Sequence, residues 1–359
     1  MNAVSGKRVV VAMSGGVDSS VVAAMMLEHG ASVVGVTFRF FESDSSESSI
    51  IDAQKVACDL CIEHHVVDCV DLFKRNVLDY YEQTRMAGET PSPCVMCNPM
   101  VKFKALFDAM HAYDADMIAT GHYVRLNVLD DHIALKAAID RSKDQSYFLY
   151  RVNRETLKKC VFPLGNMVNK NETRSLADSY GIHVAEKSDS QDVCFFNTKW
   201  YRDFMRSGEI GEIETENGGR IGKHKGAIHY TIGQRKGLGI GGPGEAWFVV
   251  GKNAQKNELI VGQGDEQEML FANRVILTDV NIINNDIEEG EHITAKFRYR
   301  QPDVGITVHF LEDNKVEVIT DVPTKAITPG QACVFYRGEY CLGSGTIDEV
   351  YMNETKRNY

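Results

Sequence analysis

At 359 residues the chain is long enough for two or three domains with separate cores, and 43% apolar residues is ordinary for a folded protein. No apolar run approaches the roughly 20 residues that span a bilayer, and the opening MNAVSGKRVVVAMSGG is unlike a signal peptide, so a cytoplasmic protein is expected. A formal charge of -11 excludes a generally basic nucleic-acid coat while leaving room for a local patch; nine cysteines, an odd number, argue against a disulfide framework and for reactive or metal-binding thiols.

In chain order, short β-branched runs alternate with helical patterns through the first half: VVVAM at 9–13, SVVGVTFRF at 32–40, HVVDCVD at 65–71 and DMIATGHY at 116–123. That alternation predicts an α/β domain with a parallel sheet covered on both faces. The Ser-rich FESDSSESS after the second run is read as a mobile surface loop. Beyond about residue 205, Gly-rich segments alternate with short strands such as WFVVGKN, LIVGQG, HITAKFRYR, GITVHFL and KVEVIT. The expectation is a domain over 1–204, a small central β-rich domain over 205–268 and a C-terminal β-barrel over 269–359.

The stretch KRVVVAMSGGVDSSVVAAMML puts Ser14-Gly15-Gly16-Val17-Asp18-Ser19 between a buried strand and a helix. Glycines aim backbone N–H groups inward and a helix N-terminus adds partial positive charge, so the loop suits an anion. It is not a Walker A loop, because no Gly-Lys-Ser/Thr follows. It resembles the PP-loop of the ATP pyrophosphatases, which activate a carbonyl oxygen by AMP transfer. That resemblance implies ATP and Mg2+ held by the loop, with Ala12, Met13, Val17, Phe38 and Gly121 adding nucleotide contacts at the sheet's carboxyl edge.

Three cysteine regions compete for the chemistry. Cys58 and Cys61 lie on a helical pattern ahead of His64 and His65, too closely spaced for a zinc tetrahedron, and read as small helix and core residues. Cys94 and Cys97, in TPSPCVMCNPMVKF, fall in a segment that Pro91 and Pro93 keep out of a helix, where a thiol is exposed and mobile. Cys194 follows the polar Ser188, Asp189, Ser190, Gln191 and Asp192, again a reachable position.

Taken in order, SGGVDSS, TPSPCVMCNPMVKF, ATGHYVR, KDQSYFLY, SDSQDVCFF, HYTIGQRKGLGI and FRYRQPD resemble the tRNA-specific 2-thiouridylase family (MnmA) over nearly the whole chain. The resemblance implies a tRNA sulfurtransferase in which ATP adenylates O2 of the wobble uridine in the anticodon loop. A persulfide on Cys194 then attacks C2, Cys97 helps release the sulfur, and the two cysteines are left as a disulfide. It also implies a persulfide donor, either a cysteine desulfurase or a relay protein. Contacts to tRNA or the target base are implied for Ser92, Pro93, Cys94, His122, Lys143, Asp144, Gln145, Tyr299, Arg300 and Gln331; read alone, KDQ suggests a helix start. The departure is Cys94, where the best-known members carry an aspartate. Either Cys94 is inert, or Cys94, Cys97 and Cys194 hold a 4Fe-4S cluster that replaces the persulfide cycle. Lys102 and His122 are candidates for favouring a thiolate.

The run RIGKHKGAIHYTIGQRK carries Arg220, Lys223, Lys225, Arg235 and Lys236 without an acidic residue. It is read as a phosphate-backbone track, with His224, His229 and Tyr230 available to stack on bases. Two other readings keep parts of this pattern: a ligase or amidotransferase of the ATP pyrophosphatase type acting on a small-molecule carbonyl, and a nucleotide-sensing RNA-binding module without catalysis.

Overall fold

The computed structural model describes residues 4–129, 132–183, 193–284 and 286–357. They form two compact units. The first comprises Met1–Leu78, Cys94–Val193 and Glu339–Cys341; the second comprises Asp79–Pro93, Cys194–Gly338 and Leu342–Tyr359. Among the described residues no helix is long and apolar enough to cross a membrane.

The first unit is built on a parallel sheet. Strand β1 (Arg8–Ala12) pairs with β2 (Ser32–Arg39), and β3 (Glu63–Asp68) extends that side. On the other side of β1 lies β4 (Met117–Ala119). A hairpin of β5 (Val124–Leu129) and β6 (His132–Ala137) follows, and β7 (Cys160–Val161) completes the order β3-β2-β1-β4-β7. Val9, Val10 and Val11 are fully buried, which is why the first strand reads as an unbroken apolar run rather than an alternation. The helix α1 (Val17–Glu28) buries Val17, Val21, Val22, Met25 and Met26 in the same core. The order of connection reverses at β1, with β2 on one side and β4 on the other, and such a switch point is where the carboxyl-end loops of an open parallel sheet part to admit a ligand.

Two expectations change here. FESDSSESS is not a loop: Ser43 caps helix α2 (Asp44–Asp59) by accepting from the Ser46 N–H, and Asp44 and Glu47 place negative charge at its positive end. TPSPCVMCNPMVKF is helical from Pro93 onward, through Pro93–Cys97, a wider π-type turn at Asn98–Phe103 and a helix at Lys104–Ala112. Proline is tolerated in a first helical turn, where its missing N–H has no intrahelical partner in any case. The wide turn accommodates Pro99, which has no N–H to donate.

The second unit is almost all β. Strands β8 (Gly211–Thr215), β9 (Arg220–His224), β10 (Trp247–Asn253) and β11 (Glu258–Gln263) form a sheet in the order β10-β11-β8-β9. The barrel strands are β12 (Phe271–Ile282), β13 (His292–Lys296), β14 (Val304–Phe310), β15 (Val316–Lys325), β16 (Ala332–Arg337) and β17 (Tyr340–Met352). They run β12-β15-β14-β13-β16-β17 and close through the pairing of β12 with β17, giving a six-stranded barrel filled by Ile293, Phe297, Val308, Val318 and Phe335. Closure leaves the barrel without a free edge.

In the basic run, Arg220, Lys223, Lys225, Arg235 and Lys236 are exposed, but His224, His229 and Tyr230 are buried and do not offer faces to bases. The His224 ring contacts the Asn257 carbonyl and the Gly226 N–H, and Tyr230 joins an apolar core with Ile232 and Leu238. Burial pushes His229 down to about 4, so it is neutral at physiological pH.

Candidate active site

The loop after β1 is held by its own hydroxyls. Ser19 Oγ accepts from the Ser14 N–H at 3.0 Å and donates to the Gly16 carbonyl at 3.1 Å, while Ser20 Oγ donates to the same carbonyl at 2.9 Å. Gly15 has φ +69, and a Cβ there would lie 2.2 Å from the Ser49 carbonyl oxygen of α2, so both backbone conformation and space demand glycine. Gly16 caps α1 without a side-chain hydrogen bond, leaving backbone N–H groups as the polar face of the helix start. Gly121 lies against the loop: a Cβ there would sit 3.2 Å from the Ser19 nitrogen and 3.3 Å from Asp18 Cβ. Met13 meets β2 through its N–H to the Val36 carbonyl and its carbonyl to Thr37 Oγ1, just before the half-buried Phe38.

Asp18 gathers residues that the sequence reading missed. Its Oδ1 accepts from the Tyr123 hydroxyl at 2.9 Å and is paired with the Lys170 ammonium; the Tyr123 hydroxyl also meets Thr173 Oγ1 at 3.0 Å. Tyr123 had a signal, standing inside ATGHYVR. Lys170, 152 positions from Asp18, had none. One carboxylate beside phosphate-binding backbone matches the way Mg2+ is held with nucleotide phosphates, so Asp18 is the residue here that fits that ion.

Around this loop the other motifs interlock within the first unit. Gln145 and Tyr123 exchange two hydrogen bonds, Gln145 Oε1 accepting from the Tyr123 N–H and the Gln145 N–H donating to the Tyr123 carbonyl. Asp144 is buried, accepting from the N–H groups of Ala138 and Ser146 and from Ser146 Oγ, so KDQ forms a clamped turn before Ser146–Phe148 rather than a long helix start. Lys143 beside it is half-buried. Asn98, next to Cys97, donates to the Phe148 carbonyl at 3.1 Å and ties the cysteine helix to that turn. His122 stacks on Phe103 and its Nδ1 lies 2.7 Å from Thr120 Oγ1. Burial, reinforced by Lys102, pushes His122 down to about 3, so it is neutral and cannot supply the positive charge expected of it.

All nine cysteines are unbridged. Cys97 is buried and Cys94 half-buried, not exposed as a loop would leave them. Burial raises the Cys94 thiol above its ordinary value and the Lys102 charge opposes that rise, so Lys102 does act in the expected direction. Cys58 and Cys61 are exposed, which corrects their reading as core residues. Among the described residues no group of three His, Cys, Asp or Glu side chains is placed to hold a metal.

Cys194 belongs to the second unit and is exposed, in a turn anchored by the buried Phe195 against Tyr81 at 5.3 Å and by Thr198 Oγ1 donating to the Phe195 carbonyl. Ser188, Asp189, Ser190, Gln191 and Asp192 lie outside the described residues. In the same unit Gln331 Nε2 donates to the carbonyls of Thr90 and Pro91 at 2.9 and 3.0 Å, gripping the segment that leads to Ser92 and Pro93. The Ser92 N–H donates to the Tyr80 hydroxyl. Tyr299 is half-buried and Arg300 exposed.

A parallel sheet whose first strand delivers a Ser-Gly-Gly-x-Asp-Ser loop to a helix N-terminus at the switch point defines a nucleotide-binding domain of the ATP pyrophosphatase type. Residues 7–198 match the family described as the tRNA methyl transferase HUP domain, 201–263 the tRNA methyl transferase PRC-barrel domain and 272–347 the aminomethyltransferase β-barrel domain. The tRNA-specific 2-thiouridylase MnmA of Listeria monocytogenes serotype 4a is 43% identical, over 98% of this chain and 97% of that protein. The protein of the same name from Bacillus cytotoxicus is 42% identical over the same shares. The chain belongs to the tRNA-specific 2-thiouridylase family. Among solved structures, the U34-tRNA thiolase NcsA from Methanococcus maripaludis, with its 4Fe-4S cluster, covers 56% of this chain and 63% of its own at 17% identity and TM-score 0.38, too distant to bear on the sulfur chemistry here.

Proposed function

We propose that Cys194 carries sulfur as a persulfide in the reaction of this ATP-dependent tRNA 2-sulfurtransferase, and that the base modified is the wobble uridine of the anticodon. ATP on the Ser14–Ser19 loop is attacked at its α-phosphorus by uridine O2; pyrophosphate leaves with the bonding electrons, and the poor leaving oxygen at C2 becomes part of a good one. The terminal sulfur of the Cys194 persulfide then bonds to C2 and AMP departs. Attack by the Cys97 thiolate on Cys194 breaks the persulfide S–S bond and leaves a Cys97–Cys194 disulfide, which an external dithiol must reduce. The single observation behind this assignment is the exposure of Cys194, because a sulfur-delivering protein must reach the thiol it loads.

Binding of tRNA is assigned to the exposed cations Arg220, Lys223, Lys225, Arg235 and Lys236, with Tyr299 and Arg300 of the barrel. An affinity carried by phosphate contacts falls steeply between low and moderate salt. Lys143 and His122 are assigned to the anticodon side, whereas Asp144 and Gln145 act through the turn they clamp.

A second reading is favoured by one observation: Cys94 and Cys97, three apart in one helical turn, lie on the same side of their helix. Two thiols so placed would serve as two ligands of a 4Fe-4S cluster, which would carry hydrosulfide to the base; the third ligand, Cys194, would have to join them, since among the described residues no three such side chains are grouped for a metal. Iron and acid-labile sulfide measured after anaerobic purification, with Cys94→Ala as control, separate the two; a metal-free Cys94→Ala protein of full activity removes the cluster.

The decisive assay incubates the protein with ATP, Mg2+, a persulfide donor and tRNA, digests the RNA and weighs the nucleosides. 2-Thiouridine is expected. Pyrophosphate release without thiolated nucleoside would point instead to a small-molecule carbonyl as the acceptor.

A further inference from the structure

The helix Lys199–Phe204 begins just after Cys194 in the second unit, and its faces differ in chemistry. One face is aromatic: Phe204 is buried, Trp200 stacks on it at 5.7 Å, and the Tyr81 ring meets Trp200 and Phe204 edge-on. The start of the helix is fixed as well, since Thr198 Oγ1 accepts from the Tyr201 N–H and donates to the Phe195 carbonyl. Phe195 is itself buried against Tyr81, so the turn that follows Cys194 and the helix are held as one piece.

The opposite face is basic. Lys199, Arg202 and Arg206 recur at spacings of three and four, which lines them up along one side of the helix and the turn that continues it, and all three are exposed. Asp203, the acidic residue of the helix, stands one position on from Arg202 and so about 100° round from it. Among the described residues no carboxylate pairs with the three cations; Arg202 gives one N–H to the Asn197 carbonyl at 2.7 Å, which fixes its stem without neutralising its charge. Arg202 and Arg206 suit the negative end of the helix dipole, but Lys199 stands at the positive end and opposes it, so helix stability does not explain the row. In a chain of formal charge -11, these cations invert the sign of the surface next to an exposed thiol.

We propose that this face is the docking surface for the protein that loads Cys194, and that the partner is an acidic protein carrying a persulfide on a cysteine. The assignment rests on the persulfide reading given above and adds where the donor sits and which charge it presents. In the transfer the Cys194 thiol gives its proton to water, its thiolate bonds to the outer sulfur of the donor's persulfide, and the donor's S–S bond breaks. The electron pair leaves on the donor's cysteine sulfur, which takes a proton from water, so sulfur moves without net oxidation or reduction. Carboxylates of the partner facing Lys199, Arg202 and Arg206 steer the encounter and set its orientation. Phe196, half-buried and stacked on Tyr201 at 4.5 Å, adds an apolar contact beside the thiol. RNA phosphate is drawn by the same cations; the exposed thiol next to them decides for a sulfur donor.

The test uses the full chain with two donors: a cysteine desulfurase of net negative charge carrying its own persulfide, and cysteine persulfide, which is small and nearly neutral. Sulfur on Cys194 is read by peptide mass. Wild type is compared with Lys199→Glu, with the double variant Arg202→Glu and Arg206→Glu, and with the conservative double variant Arg202→Lys and Arg206→Lys. At low salt the KM for the desulfurase should rise by about tenfold or more in the double glutamate variant, with kcat changing less, and the double lysine variant should stay within about twofold of wild type. Lys199→Glu should raise the KM by about threefold. Added salt should weaken loading of wild type and not that of the double glutamate variant. Loading from cysteine persulfide and affinity for tRNA should both stay within about threefold of wild type. Unchanged loading from the desulfurase in the glutamate variants overturns the proposal, as does an equal loss with cysteine persulfide, which would mark a disturbed turn. A fall of about tenfold in tRNA affinity in the same variants also overturns it, the face then being an RNA surface. So does a desulfurase that cannot load wild type when cysteine persulfide can. If neither donor places sulfur on Cys194 of the wild-type chain, the persulfide reading itself fails and takes this assignment with it.

Discussion

Two Cys-x-x-Cys pairs in the first unit have the same spacing and opposite placements. Cys58 lies in the last turn of α2, and Cys61 just beyond it takes φ +52, with the Cys61 N–H on the Cys58 carbonyl and the Ile62 N–H on the Ala57 carbonyl. This is a Schellman C-cap with cysteine where glycine is usual. Cys94 and Cys97 instead occupy the first turn of a helical run that begins at Pro93. A helix start presents partial positive charge to a side chain and a helix end partial negative charge, so the same sequence spacing falls at a helix start in one place and a helix stop in the other.

The sharpest way to break that comparison is activity. Cys97→Ser and Cys194→Ser are expected to lower 2-thiouridine formation by roughly 10³-fold or more, as for loss of a covalent nucleophile. Pyrophosphate release should persist in both, and Cys58→Ser and Cys61→Ser should match wild type; a comparable loss in the Cys58 or Cys61 variant would mean the exposed pair participates.

A smaller effect concerns charge. Lys102 holds the Cys94 thiol below the value burial alone would set, so Lys102→Met raises it further and leaves less thiolate at any pH below the shifted midpoint. Labelling of Cys94 by iodoacetamide at pH 8 should slow by about three- to tenfold, since one unit of pKa is tenfold in thiolate. Labelling of Cys58, at the far end of another helix, should not change.

Backbone variants carry the smallest effects. Cys61→Gly removes a side chain from the left-handed region and should stabilise the protein by about 1 kcal/mol, read from the midpoint of urea unfolding. Pro93→Ala loses a residue preorganised for the first helical turn and should cost about 0.5 kcal/mol. If Cys61→Gly destabilises instead, its cap is not the reason for that conformation.

Much of the site is readable from residues because its chemistry is local. The Ser14–Ser19 loop follows from glycine conformational freedom and hydroxyl pairing over six positions, and Gly121 follows from its motif. The misread segments share a different cause. FESDSSESS looks like a loop by composition, yet Ser43 and the acidic first turn are a helix start. Pro91 and Pro93 look like breakers, yet Pro93 stands at the one helical position that suits it. The strand Phe271–Ile282 escapes notice because Arg274, Thr278, Asp279 and Asn281 interrupt its apolar pattern, while its pairings to β15 and β17 are what close the barrel.

The sequence by itself determined the class of fold and the shape of the loop between β1 and α1, because each depends on residue types at fixed short spacing. Only the tertiary structure decided what surrounds them: that His224, His229 and Tyr230 are core rather than stacking faces, that His122 is neutral, that Gln331 grips Thr90 and Pro91, and that Lys170 meets Asp18. Burial and pairing across more than a hundred positions depend on how helices and strands pack, and no local pattern encodes that.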